Sequence, residues 1–485
     1  MPTRVLGRLL PETAPSRRLQ SFRALAQNLP SPGAKPPRKI RRNTQVFLTF
    51  WPIKPNGEGA MKKKSTYLSF AARCAFPALL MLGGLSNGHA SPLQQAARMH
   101  ERLVGAPPSD PQTTLDMEAL IRANRGREAA YLAMDAEHFY RSSLKNFFTP
   151  WSNAAENPDA PLNDFTATAI GMVRDDVPFD QALYGDIIYV GHDDLVHTMT
   201  AADDGVIETR RHIVPFNAFA TLTNSHYTEF ETKLIDPDNL SDITTQRSRI
   251  SFKRFLQRKS QLAVLNQKAA RITESAGLLT TNQAGFEFFT AGTNRRAVRF
   301  AFKNFLCHDM EQLQDTSRSD FRVRQDVDRA PAGDTRIFKQ TCVGCHAGMD
   351  ALAGAFAQYN FDNGTIRQRN TVNAKYTQNG SVYPAGFVTT NNSWINLWAS
   401  GPNAALGFKG ATSGSGARAL GELLSKTDAF SQCMAKRVFQ KVCLRSPSEA
   451  EAATVKSLAT QFVANNHSMK SLFASVSLLP QCLGE

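Results

Sequence analysis

The chain has 485 residues, 42% of them hydrophobic and 20% charged, enough apolar material for one large core or two moderate ones, which excludes disorder throughout. Its formal charge of +14 points first to nucleic acid or an anionic membrane surface. The first 90 residues, however, hold 15 of the 56 Lys and Arg but only Glu12 and Glu58 of the 42 acids, leaving 41 basic against 40 acidic residues in the rest, so a nucleic-acid partner is set aside.

In chain order, residues 61–90 place three lysines after Met61, then an apolar run from Ala75 to Leu85, then the small residues Gly88 and Ala90. This is the form of a secretory signal peptide with cleavage before Ser91. Met61 is the predicted start, residues 1–60 are read as a non-native upstream extension, and Cys74 sits inside the apolar run rather than at a lipoprotein-anchor position. No later segment approaches ~20 uninterrupted apolar residues, so no transmembrane segment is predicted in the mature chain. The product is expected in the periplasm or outside the cell.

Helical spacing predicts helices over Pro92–Leu103, Leu115–Arg125 and Glu128–Phe148, the last carrying Ala130, Leu132, Ala133, Ala136, Phe139 and Tyr140 as a core stripe. Asp186–Val190 reads as a short strand, and Ala201–Thr245 as strand or irregular chain. His192, Asp193, Asp194 and His197 have the residue types of a metal site, but a solvated loop explains them better. Helical patterning resumes over Lys253–Arg271 and Arg295–Cys307, and the charged stretch Glu311–Thr335 reads as a surface connection.

That connection leads to Cys342-Val343-Gly344-Cys345-His346, a C-x-x-C-H pattern that in an exported protein reads as a covalent haem attachment site. Two thiols one short turn apart can each form a thioether to a porphyrin edge, and the adjacent imidazole is delivered beneath the iron as its axial ligand. A zinc half-site would need a second pair of ligands at comparable spacing, and a thioredoxin-like pair would need a surrounding βαβ pattern; neither is present. Cys307, Cys433, Cys443 and Cys482 remain, an even number that allows two disulfides in three connectivities. Cys433 and Cys443 share a predicted helix, in which ten residues span roughly 15 Å, so they are poorly placed for each other.

Gly410–Gly421 is glycine-rich without a clear preceding strand and reads as a turn rather than a phosphate cradle. Phe430, Met434, Val438 and Val442 form an apolar stripe. Ser446-Pro447-Ser448-Glu449 reads as a capping box with proline at the first helical position, and Lys470–Leu479 as a last helix stopped by Pro480.

Residues 290–485 resemble the planctomycete-type cytochrome c-like domain family, whose haem segment runs C-x-x-C-H-x-x-M-D-P-x-G. Cys342, Cys345, His346, Met349 and Asp350 match it, Ala351 and Ala353 depart at its Pro and Gly, and Asn360-Phe361-Asp362 matches a later aromatic-Asp pair. Asn294-Arg295-Arg296 through Asn304-Phe305-Leu306-Cys307, and Leu420 through Cys433 to Arg445, are similar to the family's flanking helices. The resemblance implies a helical haem domain with Cys342, Cys345 and His346 as its haem residues.

The predicted fold is mainly α, with a multi-helix N-terminal region at 91–290 packed against a C-terminal helical haem domain at 291–485. The expected cofactor is one covalent haem c. The sixth iron ligand is open. Met349, one helical turn after His346, lies on the proximal side and reads as packing, while Met434, His467, Met469, His308 and Met310 are the candidates, with Met434 named first although its apolar stripe makes core packing its default. Three functions follow: one-electron transfer to a redox partner protein or small oxidant or reductant, which is favoured; a haem enzyme of peroxidase or oxidase type with an open sixth position; or a binding protein with a structural haem.

Overall fold

Ser91 accepts from the backbone N–H of Gln94 while Gln94 reaches back to Ser91, and Pro92 takes the first helical position, so α1 runs Pro92–Val104 as a complete capping box dictates. The computed structural model describes residues 90–191, 227–228, 231, 234–235, 248–249, 251–267, 270–290 and 292–483. These all belong to one unit, Leu82–Glu485. The upstream extension, all of the signal segment but Ala90, the His192–His197 cluster and most of Ala201–Thr245 lie outside the described residues.

The fold is mainly helical. After α1 come α2 (Pro111–Arg122), α3 (Gly126–Met134) and α4 (Asp164–Arg174). The helix predicted over Glu128–Phe148 is instead broken: α3 ends at Met134, and a π-turn Phe139–Leu144 and a short turn Lys145–Phe148 follow. The break frees Glu137, whose carboxylate accepts from Ser251 Oγ at 2.5 Å and from the backbone of Phe252 at 2.7 Å.

The Lys253–Arg271 helix is also corrected. A single helical stretch Phe252–Phe255 gives way to strand β2 (Leu256–Lys259), antiparallel to β1 (Ile188–Gly191), before a short helix Gln261–Asn266. The ladder with β1 is a long-range partner that local periodicity cannot reveal. Asp186 fixes the change of direction, accepting from Ser260 Oγ at 2.6 Å and Leu262 N at 2.8 Å.

Buried Asp164 in α4 caps α5 (Asn282–Phe289), accepting from the backbone of Asn282 and Gln283 at 2.6 and 2.9 Å. Then follow α6 (Arg295–Phe305), α7 (Val343–Ala353), the hairpin β3 (Tyr359–Asp362) and β4 (Thr365–Gln368), α8 (Gly416–Ser425), α9 (Asp428–Cys443), α10 (Ala452–Ala464) and α11 (Met469–Ser477). The capping box before α10 falls two residues later than predicted: Ser448 and Glu451, not Ser446 and Glu449, cap each other, and a 3-10 turn leads into the helix. The last predicted helix ends at Ser477, and Pro480 opens one more turn rather than closing the chain.

One apolar core runs from Ala96 to Leu483 and includes residues of both predicted regions. The Phe139 and Phe473 rings meet edge to face at 5.5 Å, and Arg127 donates to Ser475 at 3.2 Å. Phe430, Met434, Val438 and Val442 all face into this core. Disulfides join Cys307 to Cys433 and Cys443 to Cys482, with Cα atoms 5.3 and 4.4 Å apart. They tie the end of α6 to α9 and the end of α9 to the C-terminal turn. No described helix is long and apolar enough to cross a membrane.

Candidate cofactor site

Cys342 ends a π-turn Phe338–Cys342 and continues with helical backbone into α7, so Cys342, Cys345 and His346 occupy consecutive turns of one helical path. Spacings of three and four residues put all three on the same face. Cys342 and Cys345 are free thiols, both half-buried, while the four remaining cysteines described are paired. The Cys345 thiol lies 3.5 Å from the Met310 carbonyl, and burial, reinforced by the Glu311 charge, pushes its pKa up.

His346 keeps 25% of its side chain exposed, and its Nδ1 is 3.3 Å from Asp350 Oδ1. Asp350 is fully buried. Burial would raise its pKa, but the charge and hydrogen bonds of Arg295, with Arg324 behind them, outweigh that and hold it well below the usual carboxylate range. Arg295 Nε and Nη2 reach its two oxygens at 2.5 and 2.9 Å, and the backbone N–H of Arg324 adds a third bond at 3.1 Å. An ionised carboxylate only accepts hydrogen bonds, so His346 Nδ1 carries the hydrogen, and in the neutral imidazole Nε2 is then the nitrogen with the free lone pair. That is the tautomer an axial iron ligand requires.

Arg295 extends the network to Asp326 at 2.7 and 2.8 Å. Arg324 is 1% exposed, donates to Thr293, and lies 4.7 Å over the Tyr376 ring. The stretch predicted as a surface connection therefore contributes buried charges: Arg324, whose partners Thr293, Asp350 and Tyr376 come from elsewhere in the chain, and Arg329, which donates to the nearby Val323 and Val327 carbonyls and is covered by the distant Tyr383 ring. Behind the helix the buried Trp398 indole packs on Gly348, where an added Cβ would stand 2.1 Å from a ring carbon.

On the Cys342 side, Val323, Val327, Phe338, Val343 and Ala347 form a small apolar cluster of their own against which Cys342 packs. The Arg329 guanidinium is held between the Phe338 and Tyr383 rings at 4.6 and 4.7 Å. Phe321 and Ile337, which flank Val323 and Phe338 in sequence, are 54% and 40% exposed. Two free thiols, one oriented imidazole and an apolar wall together fit a covalently bound haem.

The sixth-ligand candidates are dispersed. Met434 and Met469 are fully buried in the main core, as is most of Met349. His467 packs on Phe430 and Phe462 and lies 3.8 Å from Asp180. His308 Nδ1 is 2.7 Å from the Leu306 carbonyl, and Met310 borders Cys345 through its backbone. The glycine-rich stretch forms the start of α8, where Glu274 accepts from Ala417 N at 3.0 Å, an acidic neighbour that opposes phosphate. Among the described residues no three or more His, Cys, Asp and Glu side chains gather to hold a free metal ion. Sequence reasoning passed over Arg295, Arg324 and Trp398 as site residues; the four-residue step from His346 to Asp350 was the one local signal available.

No protein-family model, curated protein or solved structure matches the chain. The chemistry of the site therefore rests on its own residues.

Proposed function

We propose that the protein is an exported c-type cytochrome carrying one haem, held by thioethers to Cys342 and Cys345 with His346 as axial ligand, and that it passes single electrons to and from a redox partner. The supporting observation is the pair of free thiols on one helical face beside an imidazole whose Nδ1 is committed to Asp350. The haem supplies the one-electron couple; the chain fixes the imidazole, neutralises the buried carboxylate with two arginines and walls one side with apolar groups. The partial exposure of Cys342 and His346 suits electron exchange through a solvent-facing haem edge. Two disulfides agree with an oxidising compartment, and residues 61–90 supply the export signal.

A second reading, a haem enzyme with an open iron position, is favoured by the His346–Asp350 contact, because a carboxylate behind the axial imidazole makes it more basic and the iron more electron-rich. Optical spectra of the purified mature protein with carbon monoxide added to the reduced form and peroxide to the oxidised form separate the two. A low-spin six-coordinate iron indifferent to both is the result expected for the carrier. Rapid reaction with either supports the enzyme, and a colourless protein overturns both.

A further inference from the structure

Arg295, which grips Asp350 on one side, lines a cavity of about 300 Å³ on the other, together with Gly292, Thr293, Arg296, Asp326 and Lys375. Three cations and one carboxylate leave the lining with an excess of two positive charges. Lys375 is only 9% exposed, and it spends two of its three N–H groups on the Phe289 carbonyl at 2.6 Å and Asn360 Oδ1 at 2.9 Å. Among the described residues no carboxylate stands within ion-pair distance of it. Arg295 spends four of its five N–H groups on Asp326 and Asp350. Exposed Arg296 makes one bond, to the Glu287 carbonyl.

The cavity also lies at the start of α6, an 11-residue helix whose N-cap Asn294 does not cap it. The Asn294 amide is instead turned to the Phe356 and Tyr359 carbonyls. The first-turn N–H groups thus lack a side-chain acceptor, and the helix dipole adds to the positive field of the three side chains. A lysine 9% exposed over the whole residue, with one ammonium donor to spare, is the feature an ordinary surface arginine cluster lacks.

We propose that this cavity binds a small oxyanion, a phosphate or a carboxylate, and that the bound anion is sensed at His346 through Arg295 and Asp350. The binding half stands on the cavity alone; the sensing half rests on the haem reading above. An anion drawn to Arg295 adds negative charge to the side of the network that faces the iron's axial ligand. It favours the oxidised, more positive form of the iron and lowers the midpoint potential, by about 59 mV for each tenfold preference of the anion for the oxidised protein.

The test is calorimetric titration of the purified mature protein with inorganic phosphate, against sodium chloride at matched ionic strength, with the midpoint potential measured in both. Saturable phosphate binding and a lower potential are expected. Arg296→Glu, on the surface, should weaken phosphate at least tenfold, and Lys375→Met should abolish it. No phosphate binding beyond the chloride control, or equal binding by Arg296→Glu, overturns the site. Binding with an unmoved potential overturns the sensing. A colourless protein that still binds phosphate sinks the haem reading and leaves the anion site standing, whereas a coloured protein indifferent to phosphate does the reverse.

Discussion

His346 and Asp350 stand one turn apart on α7, with Nδ1 3.3 Å from a carboxylate that has no exposed surface. The carboxylate stays ionised because Arg295 and Arg324 face it, and the arginines in turn need it. Asp350→Asn keeps an acceptor but removes the charge. It leaves Arg324 without a carboxylate and Arg295 with Asp326 alone, a broken buried pair of the kind that costs about 3–5 kcal/mol. Under the proposed haem reading the same change should raise the midpoint potential, since a negative charge behind the His346 imidazole is lost. The folded-state pKa of Asp350 is depressed, so its contribution to stability is complete above the unfolded value near 4 and is lost as pH falls through and below it. Urea midpoints from pH 6 downwards should therefore fall more steeply for the wild type than for Asp350→Asn.

Gly348 is where α7 meets the Trp398 indole, and a methyl group there would stand 2.1 Å from the ring. Neither the helix backbone nor a fully buried indole can retreat without disturbing the core. Gly348→Ala should cost about 1–3 kcal/mol and reduce the yield of haem-loaded protein by displacing the helix that carries Cys345 and His346. Gly344→Ala is the control. Its nearest neighbour is a Thr316 methyl at 3.3 Å, so thermal denaturation should separate the two variants clearly.

What the sequence disclosed and what it hid divide along the range of the interactions. The C-x-x-C-H segment, the apolar stripe of α9 and the first helix from Pro92 are local patterns, and each lies in the structure where its spacing puts it. Strand β2 was hidden because its reason for being extended is β1, more than sixty residues away in sequence. Arg324 and Arg329 looked like solvated charges because nothing nearby in sequence announces Thr293, Asp350 or the two rings that enclose them. Ser446 and Ser448 each precede an acid by three residues, and only the fold chooses Ser448 and Glu451. The resemblance to cytochrome c-like domains stays a resemblance, carried by the C-x-x-C-H segment and its flanking helices.

Disulfide connectivity, open among three alternatives in the sequence, gives a direct chemical test. Mass spectrometry of non-reduced peptides should find Cys307 linked to Cys433 and Cys443 to Cys482, with the Cys342–His346 peptide heavier by one haem. Replacing Cys307 and Cys433 together by serine opens a loop of 126 residues, and should lower stability by about 2–5 kcal/mol. Under the proposed haem reading, Cys342–His346 should still carry its haem in that variant, which the absorption spectrum would report.

Lys375 supplies a prediction at the alkaline end. Burial pushes its pKa down to about 8, against a smaller opposing pull from Asp362. The ordinary value is near 10.4, so between about pH 8 and 10.4 the unfolded chain holds a proton that the folded protein has released. Stability must then rise with pH across that window and level off above it. The full gain is about 3 kcal/mol from this one group, and Lys375→Met should remove it. Chemical denaturation of both proteins at pH 7.5, 9 and 10.5 isolates the effect, because every other titrating group is common to the two. A wild-type curve parallel to that of Lys375→Met would mean that the ammonium is as well solvated in the folded protein as in the unfolded chain, and the cavity beside it would then be no better a seat for an anion than the open surface.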